Sequence, residues 1–319
     1  LKAKCLEILD YEDRYAFNLI WEACSNMEKY VQYGFNKNQR DAVFGNGNNG
    51  NKWNTLVSCE ELYSLLKPES KDENQIYEKN DLTIEELLQP NAKQFSKQSE
   101  ENDDTAERFN SVINFSNFLL HILRIQTKEK IALDDKRLIE LFDSYLKNKE
   151  FVKLFGYNLL KGKFLFDKYI IKREFVKGTD HWSLKQLKWY EKNENVSYVN
   201  TFGSGDNNED ENRELLMILS MFHVSNPTLV YKHWLNGALK YVFENEYINA
   251  NDYRCYLEEL AKAFLFDRFL ASEPKDYFEI IYTNNGCSIN TDTDSTRLNQ
   301  GTSVENFIFN YLDYLLWKE

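Results

Sequence analysis

The run from Ser111 to Phe175 constrains this chain more than any other segment. Its apolar side chains recur with the period of a helix and are broken by short polar turns. Phe115, Phe118, Leu119 and Ile122 fall at i, i+3, i+4 and i+7, on one helix face. Leu138, Leu141, Phe142 and Tyr145 make a second stripe, and Phe151, Val152, Phe155 and Leu159 a third. Between them, Asp134-Asp135 stands where a carboxylate caps a helix start, and this outweighs a catalytic pair because adjacent side chains point apart. Gly162 is placed for a left-handed helix C-terminus. Phe166, Tyr169, Ile170 and Arg173 continue at helical spacing beyond it.

The periodicity extends to both sides. Leu1 to Gly34 reads as one or two helices, and Cys59 to Lys67 as a short one. Thr83 and Glu86 have capping-box spacing before a helix that Pro90 ends. Leu215 to Phe222, Tyr253 to Leu270 and Phe307 to Trp317 supply more helical stripes. The predicted fold class is all-α, a multi-helix bundle with at most minor β hairpins, confined to 34–60 or 176–205. Phe44 to Trp53 reads as a loop.

Two polar, acidic segments, 91–105 and 204–212, read as mobile linkers. They divide the chain into an N-terminal helical segment (1–90), a central helical domain (106–203) and a C-terminal helical domain (213–319). One internal echo crosses this division. Phe164-Leu165-Phe166-Asp167-Lys168-Tyr169 returns as Phe264-Leu265-Phe266-Asp267-Arg268-Phe269, as two independent aromatic faces or as a duplicated unit.

Chemistry is harder to find. The formal net charge is −12, which opposes tight non-specific binding to nucleic acid without excluding a local basic face. The densest basic run is Lys161, Lys163, Lys168, Lys172 and Arg173. On a helix, Lys161, Lys168 and Lys172 lie along one side, a solvated face or a strip for phosphates. Trp182, Trp189 and Tyr190 follow as a candidate stacking platform. His121 reads as a core or boundary residue beside Ile122, His181 as a loop residue, and His223 and His233 flank Pro227. No two histidines have i, i+4 spacing, and no HExxH, DGQQR or HNH-type pattern occurs. Gly203-Ser204-Gly205 lacks the GxxxxGK[ST] phosphate-loop pattern. Cys5, Cys24, Cys59, Cys255 and Cys287 are scattered without a CxxC, a usage that fits a reducing cytoplasm and no zinc site. No stretch is apolar enough to span a membrane, and the first residues lack the core of a signal peptide. The chain opens on Leu1, which reads as a piece of something longer.

The wording of the helices carries a resemblance. VINFSNFLLHILRI, ALDDKRLIELF and NLLKGKFLFDKYIIKREF resemble the middle region of GmrSD-type modification-dependent restriction endonucleases. So do LLMILSMFHVSNPTLVYKHWLNGALKYV and FNYLDYLLWKE, while LDYEDR, ending in Arg14, looks like the segment after that family's first domain. The resemblance implies a bacterial phage-defence protein. In that family a ParB/sulfiredoxin-like domain with a DGQQR motif uses nucleotide, and an HNH-type domain cuts DNA. The chain then corresponds to the helical connecting region between them, with no catalytic residue and no cofactor of its own. NTP and a divalent metal would belong to the flanking domains, and DNA would be met through the longer protein. A homo-oligomer and a stand-alone helical protein-interaction module stay open.

Overall fold

The computed structural model describes residues 1–46, 52–68, 108–176, 178–190, 195–203, 209–283 and 293–319. The described residues are mostly α-helical, with two small antiparallel sheets. The N-terminal helices are α1 (Lys2–Ile8), α2 (Tyr11–Ser25), α3 (Lys37–Phe44) and α4 (Cys59–Leu65). Strand β1 (Phe109–Ser111) precedes α5 (Phe115–Thr127), α6 (Leu138–Asp143) and the long α7 (Lys149–Tyr169). Strands β2 (Lys172–Val176), β3 (Thr179–Ser183), β4 (Lys185–Tyr190) and β5 (Asn195–Asn200) follow. Then come α8 (Glu209–Ser225), α9 (His233–Glu244), α10 (Ala250–Phe264), α11 (Tyr277–Tyr282) and α12 (Asn306–Lys318).

Side-chain caps account for where many helices start. Asn36 with Gln39 and Ser58 with Glu61 form capping boxes for α3 and α4. Asn114, Asn148, Asn249 and Asp276 accept backbone N–H bonds at the starts of α5, α7, α10 and α11. Asp134 caps a short 3-10 turn by accepting from Lys136 N, the role its sequence position suggested.

The α7 helix is the beam of the structure. It lies against α2, α5 and α9 and also touches β4. One buried cluster of hydrophobic side chains runs from Cys5 and Phe17 through Phe118 and Phe166 to Phe222, Trp234 and Tyr314. The described parts of 1–90, 106–203 and 213–319 therefore share one apolar interior. The stretch 91–105 and the Thr83–Pro90 helix lie outside the described residues.

Four local expectations change. Gly162 is not a helix end; α7 passes through it, and a Cβ there would run into Ile122 Cδ1. The glycine lets two helices approach. Helical spacing beyond Tyr169 was also misleading. The chain leaves the helix at Ile170 (φ −111°, ψ 142°), and Lys172 to Phe175 are in β2. Two β-branched residues, Ile170 and Ile171, stand at this exit and favour extended backbone. Strand β2 pairs antiparallel with β1 and β3, so β structure falls outside both predicted windows, at 109–111 and 172–175. Strands β3, β4 and β5 fall inside 176–205 as expected, whereas no strand forms among the described residues of 34–60. Residues 209–212, assigned to a linker, begin α8, and Asn212 is buried there, accepting from Phe202 N at 3.2 Å.

Candidate functional site

The basic run folds mainly inward. Lys163 and Asp167 stand one turn apart on α7, with side chains 0% and 1% exposed. Lys163 Nζ donates to Asp167 Oδ1 and Oδ2 at 2.6 and 2.7 Å and to Lys29 O at 2.7 Å. Lys172 comes back from β2 and donates to Asp167 Oδ1 at 2.8 Å and Asp167 O at 3.2 Å. Its ammonium also lies 3.6 Å from the centre of the Tyr30 ring. Val31 N donates to Asp167 Oδ2 at 2.7 Å. One carboxylate thus holds residues 29–31, α7 and β2 together. Burial lowers the Lys172 pKa to about 8 although Asp167 favours its charged form.

The remaining members of the run go elsewhere. Lys161, half-buried, donates to Phe243 O at 2.9 Å and lies over the Phe243 ring. Lys168 donates to Asn54 Oδ1 at 2.8 Å, and burial lowers its pKa to about 8. Arg173 pairs with Asp180 at 2.5 Å and covers the Trp182 ring at 4.6 Å. The expected helical strip of Lys161, Lys168 and Lys172 does not form, because Lys172 has left the helix. Lys163 and Lys172 are sealed from solvent, with no N–H directed outward to a phosphate.

A second charged group borders the first. Glu174 on β2, 0% exposed, pairs with Arg108 and Lys185, each at 2.7 Å, and with His181 at 3.5 Å. Burial pushes its carboxyl up, but hydrogen bonds from Lys185 and Arg108 outweigh burial and hold it below the usual range. His181 is therefore on strand β3, not in a loop.

The three aromatics do not form one platform. Trp189 and Tyr190 are neighbours on β4, so their side chains point to opposite sheet faces. Trp189 joins a ladder of rings and cations from three segments. Arg40 lies over Tyr33 and Trp53, Trp53 lies 5.4 Å from Trp189, and Lys52 sits 3.7 Å from the Trp189 centroid. Trp182 packs edge-on against His223 instead, at 4.8 Å.

The other histidines line the interior beside α5 and α9. His121 is fully buried, and burial holds its pKa well below the ordinary value. His233 stacks on Tyr277 at 4.4 Å with Nδ1 3.4 Å from Arg124, and burial takes its pKa to about 3. His223 Nδ1 lies 3.1 Å from Lys232 Nζ, and burial takes its pKa to about 4. Lys232 in turn donates to Val112 O at 2.6 Å. Arg124 and Lys232 were not singled out from the sequence. Both occur within apolar stretches, and a cation in such a place is the available sign of a buried hydrogen-bond donor.

The sequence echo has a structural counterpart. Asp267, like Asp167, is buried in the last turns of a long helical stretch, and it pairs with Lys275 at 3.4 Å. There the helix ends in a π-helical turn, Leu265–Phe269, which α7 lacks.

Among the described residues, no group of three or more His, Cys, Asp or Glu side chains is placed to hold a metal ion. Gly203 has φ 64°, and Ser204 and Gly205 lie outside the described residues. No helix of the described residues is long and apolar enough to cross a membrane. No protein-family model, no curated protein and no solved structure matches the chain.

Proposed function

We propose that this chain is the helical connecting region of a GmrSD-like DNA restriction protein, a cytoplasmic multi-helix bundle that holds a nucleotide-using domain and a nuclease domain in fixed relation. The observation that carries this reading is the position of α7, against α2 on the N-terminal side and α9 on the C-terminal side. A shared beam of this kind suits a rigid spacer better than a flexible tether. The helical phrases from Val112 to Phe175 and from Leu215 to Val242 supply the family resemblance. Its DNA would be bound chiefly by the longer protein, since Lys163 and Lys172 are committed to Asp167.

The first test is to read the open reading frame on both sides. A DGQQR motif upstream and a His-containing nuclease motif downstream are expected. An intact frame with neither would overturn the proposal. The second test incubates the purified chain with DNA, GTP and ATP, with and without Mg²⁺. No turnover is expected, and turnover abolished by a substitution within the chain would remove the connecting-region reading.

One observation favours the alternative, a stand-alone protein-interaction module. Phe309, Leu312 and Leu316 are 51%, 51% and 62% exposed and follow one another along α12 at intervals of three and four. On that reading, Leu312→Asp lowers the apparent mass in size-exclusion chromatography or abolishes capture of a partner, with folding unchanged.

A further inference from the structure

Residues from four parts of the chain line a small polar cavity. Gln32 follows α2, Asn54 lies in the loop before α4, Lys168 is near the end of α7, and Gln186 is on β4. Tyr30, Phe164, Leu187 and the Asp167 carboxylate, itself held by Lys163, Lys172 and Val31 N, complete its wall. The space is about 10 Å³, at the lower edge of what one water molecule needs.

The hydrogen bonds of its polar side chains are unbalanced in a specific way. Gln32 Nε2 donates to Trp53 O at 3.2 Å, and Gln186 Nε2 donates to Thr201 O at 3.0 Å. A backbone carbonyl only accepts, so each amide is fixed with its nitrogen toward that carbonyl and its oxygen turned away. Both oxygens, Gln32 Oε1 and Gln186 Oε1, are buried and have no donor among the described residues. Gln32 as a whole is 4% exposed. Among the described residues, Lys168 Nζ makes one hydrogen bond, to Asn54 Oδ1 at 2.8 Å. An ammonium carries three protons, so donors are left over on one side and acceptors on the other. A buried acceptor left unbonded has lost its water without a replacement bond, so an arrangement with two of them calls for a third party.

The geometry points to a built site for one water molecule, donating to Gln32 Oε1 and Gln186 Oε1 and accepting from Lys168 Nζ. Water is the small species that offers two donors and an acceptor at once. A halide would face two carbonyl oxygens and the Asp167 carboxylate, and an alkali cation or ammonium would face the Lys168 charge while the Asp167 oxygens are already taken by Lys163, Lys172 and Val31 N. Burial lowers the Lys168 pKa to about 8, so it still carries its proton at neutral pH. The water would join the segment after α2, the end of α7 and the β4–β5 hairpin through a contact none of the three makes directly.

The test is a high-resolution crystal structure of the whole chain, with parallel crystals soaked in bromide and in rubidium. One peak about 2.7–3.2 Å from all three atoms is expected, without anomalous signal. A bromide or rubidium signal there would overturn the water in favour of an ion. So would a cavity without density, or a direct bond from Lys168 to either glutamine oxygen. In solution, oxygen-17 relaxation dispersion should count one fewer long-lived water in Lys168→Met than in the wild type, and equal counts would contradict the site.

Discussion

Asp167 accepts the ammonium of Lys163 on both of its carboxylate oxygens, at 2.6 and 2.7 Å, inside a helix whose side chains there are closed to solvent. The same carboxylate also receives Lys172 and the backbone of Val31. Two buried cations therefore depend on one anion.

Removing that anion should be far more costly than removing the whole group. Asp167→Ala leaves Lys163 and Lys172 buried without a counter-charge, and a loss of about 3–5 kcal/mol is expected. The triple variant Lys163→Met, Asp167→Leu, Lys172→Met leaves no charge of this group without a partner and should lose much less. Urea unfolding of the two proteins checks this. A triple variant as unstable as Asp167→Ala would show that the charges are not what the single substitution disturbs.

Lys168 makes a prediction about alkaline pH. Burial takes its folded pKa to about 8, below the unfolded value of about 10.4. Between those values the unfolded chain binds more protons, so this group's contribution to stability rises with pH. Wild type should gain about 1–3 kcal/mol relative to Lys168→Met between pH 7.5 and 9.5, at about 1.4 kcal/mol per pKa unit. Paired urea titrations at the two pH values measure it. A difference independent of pH would mean that Lys168 is not desolvated.

The half-buried His223 and His233 act at the other end of the scale. Burial holds His223 and His233 at about 4 and 3, below the unfolded value near 6.5. The unfolded state takes up protons first as pH falls through 6.5, so stability drops from there toward pH 4. His223→Phe and His233→Phe keep the ring contacts with Trp182 and Tyr277 and remove the titration. Each should flatten the decline of the urea midpoint between pH 6.5 and 4.5. Variants with the wild-type slope would place the proton uptake elsewhere.

Gly156 and Gly162 should respond differently to alanine. A Cβ at Gly156 would lie 2.5 Å from Tyr63 Oη and 2.8 Å from the Phe17 ring, which is fully buried. A Cβ at Gly162 would meet the end of the Ile122 side chain, which can rotate. Gly156→Ala is expected to cost about 1–3 kcal/mol by overpacking. At Gly162, better helix propensity, up to about 1 kcal/mol, offsets much of the clash. Thermal unfolding of both variants decides, and an equal loss at the two sites would contradict the packing argument.

Helices were legible wherever a stripe of apolar side chains was long enough to need a partner surface. The stripe Phe115, Phe118, Leu119 and Ile122 became α5, and Leu138, Leu141 and Phe142 became α6, whereas Tyr145, the last member of that stripe, lies in the turn beyond Asp143 and stacks on Phe151. The capping potential of Asp134 was legible too, because a cap is a bond to a backbone N–H two or three residues away. Such interactions depend on local sequence, and the chain by itself determined them.

The fate of the basic run was decided only by tertiary structure. Lys163, Lys168 and Lys172 look alike in a list of residues, yet one is paired to its own helix, one to Asn54 and one folds back from a strand. The partners of Lys163 and Lys168 include Lys29 and Asn54, 134 and 114 residues away. Helical spacing could not reveal that the helix stops at Tyr169, since Ile170 and Arg173 fit its period equally well. The end of α7 depends on β2 pairing with β1, a segment more than sixty residues earlier (Glu174 opposite Phe109). Whether a lysine reaches water or a buried carboxylate depends on what the rest of the chain brings to it, and local sequence carries no record of that.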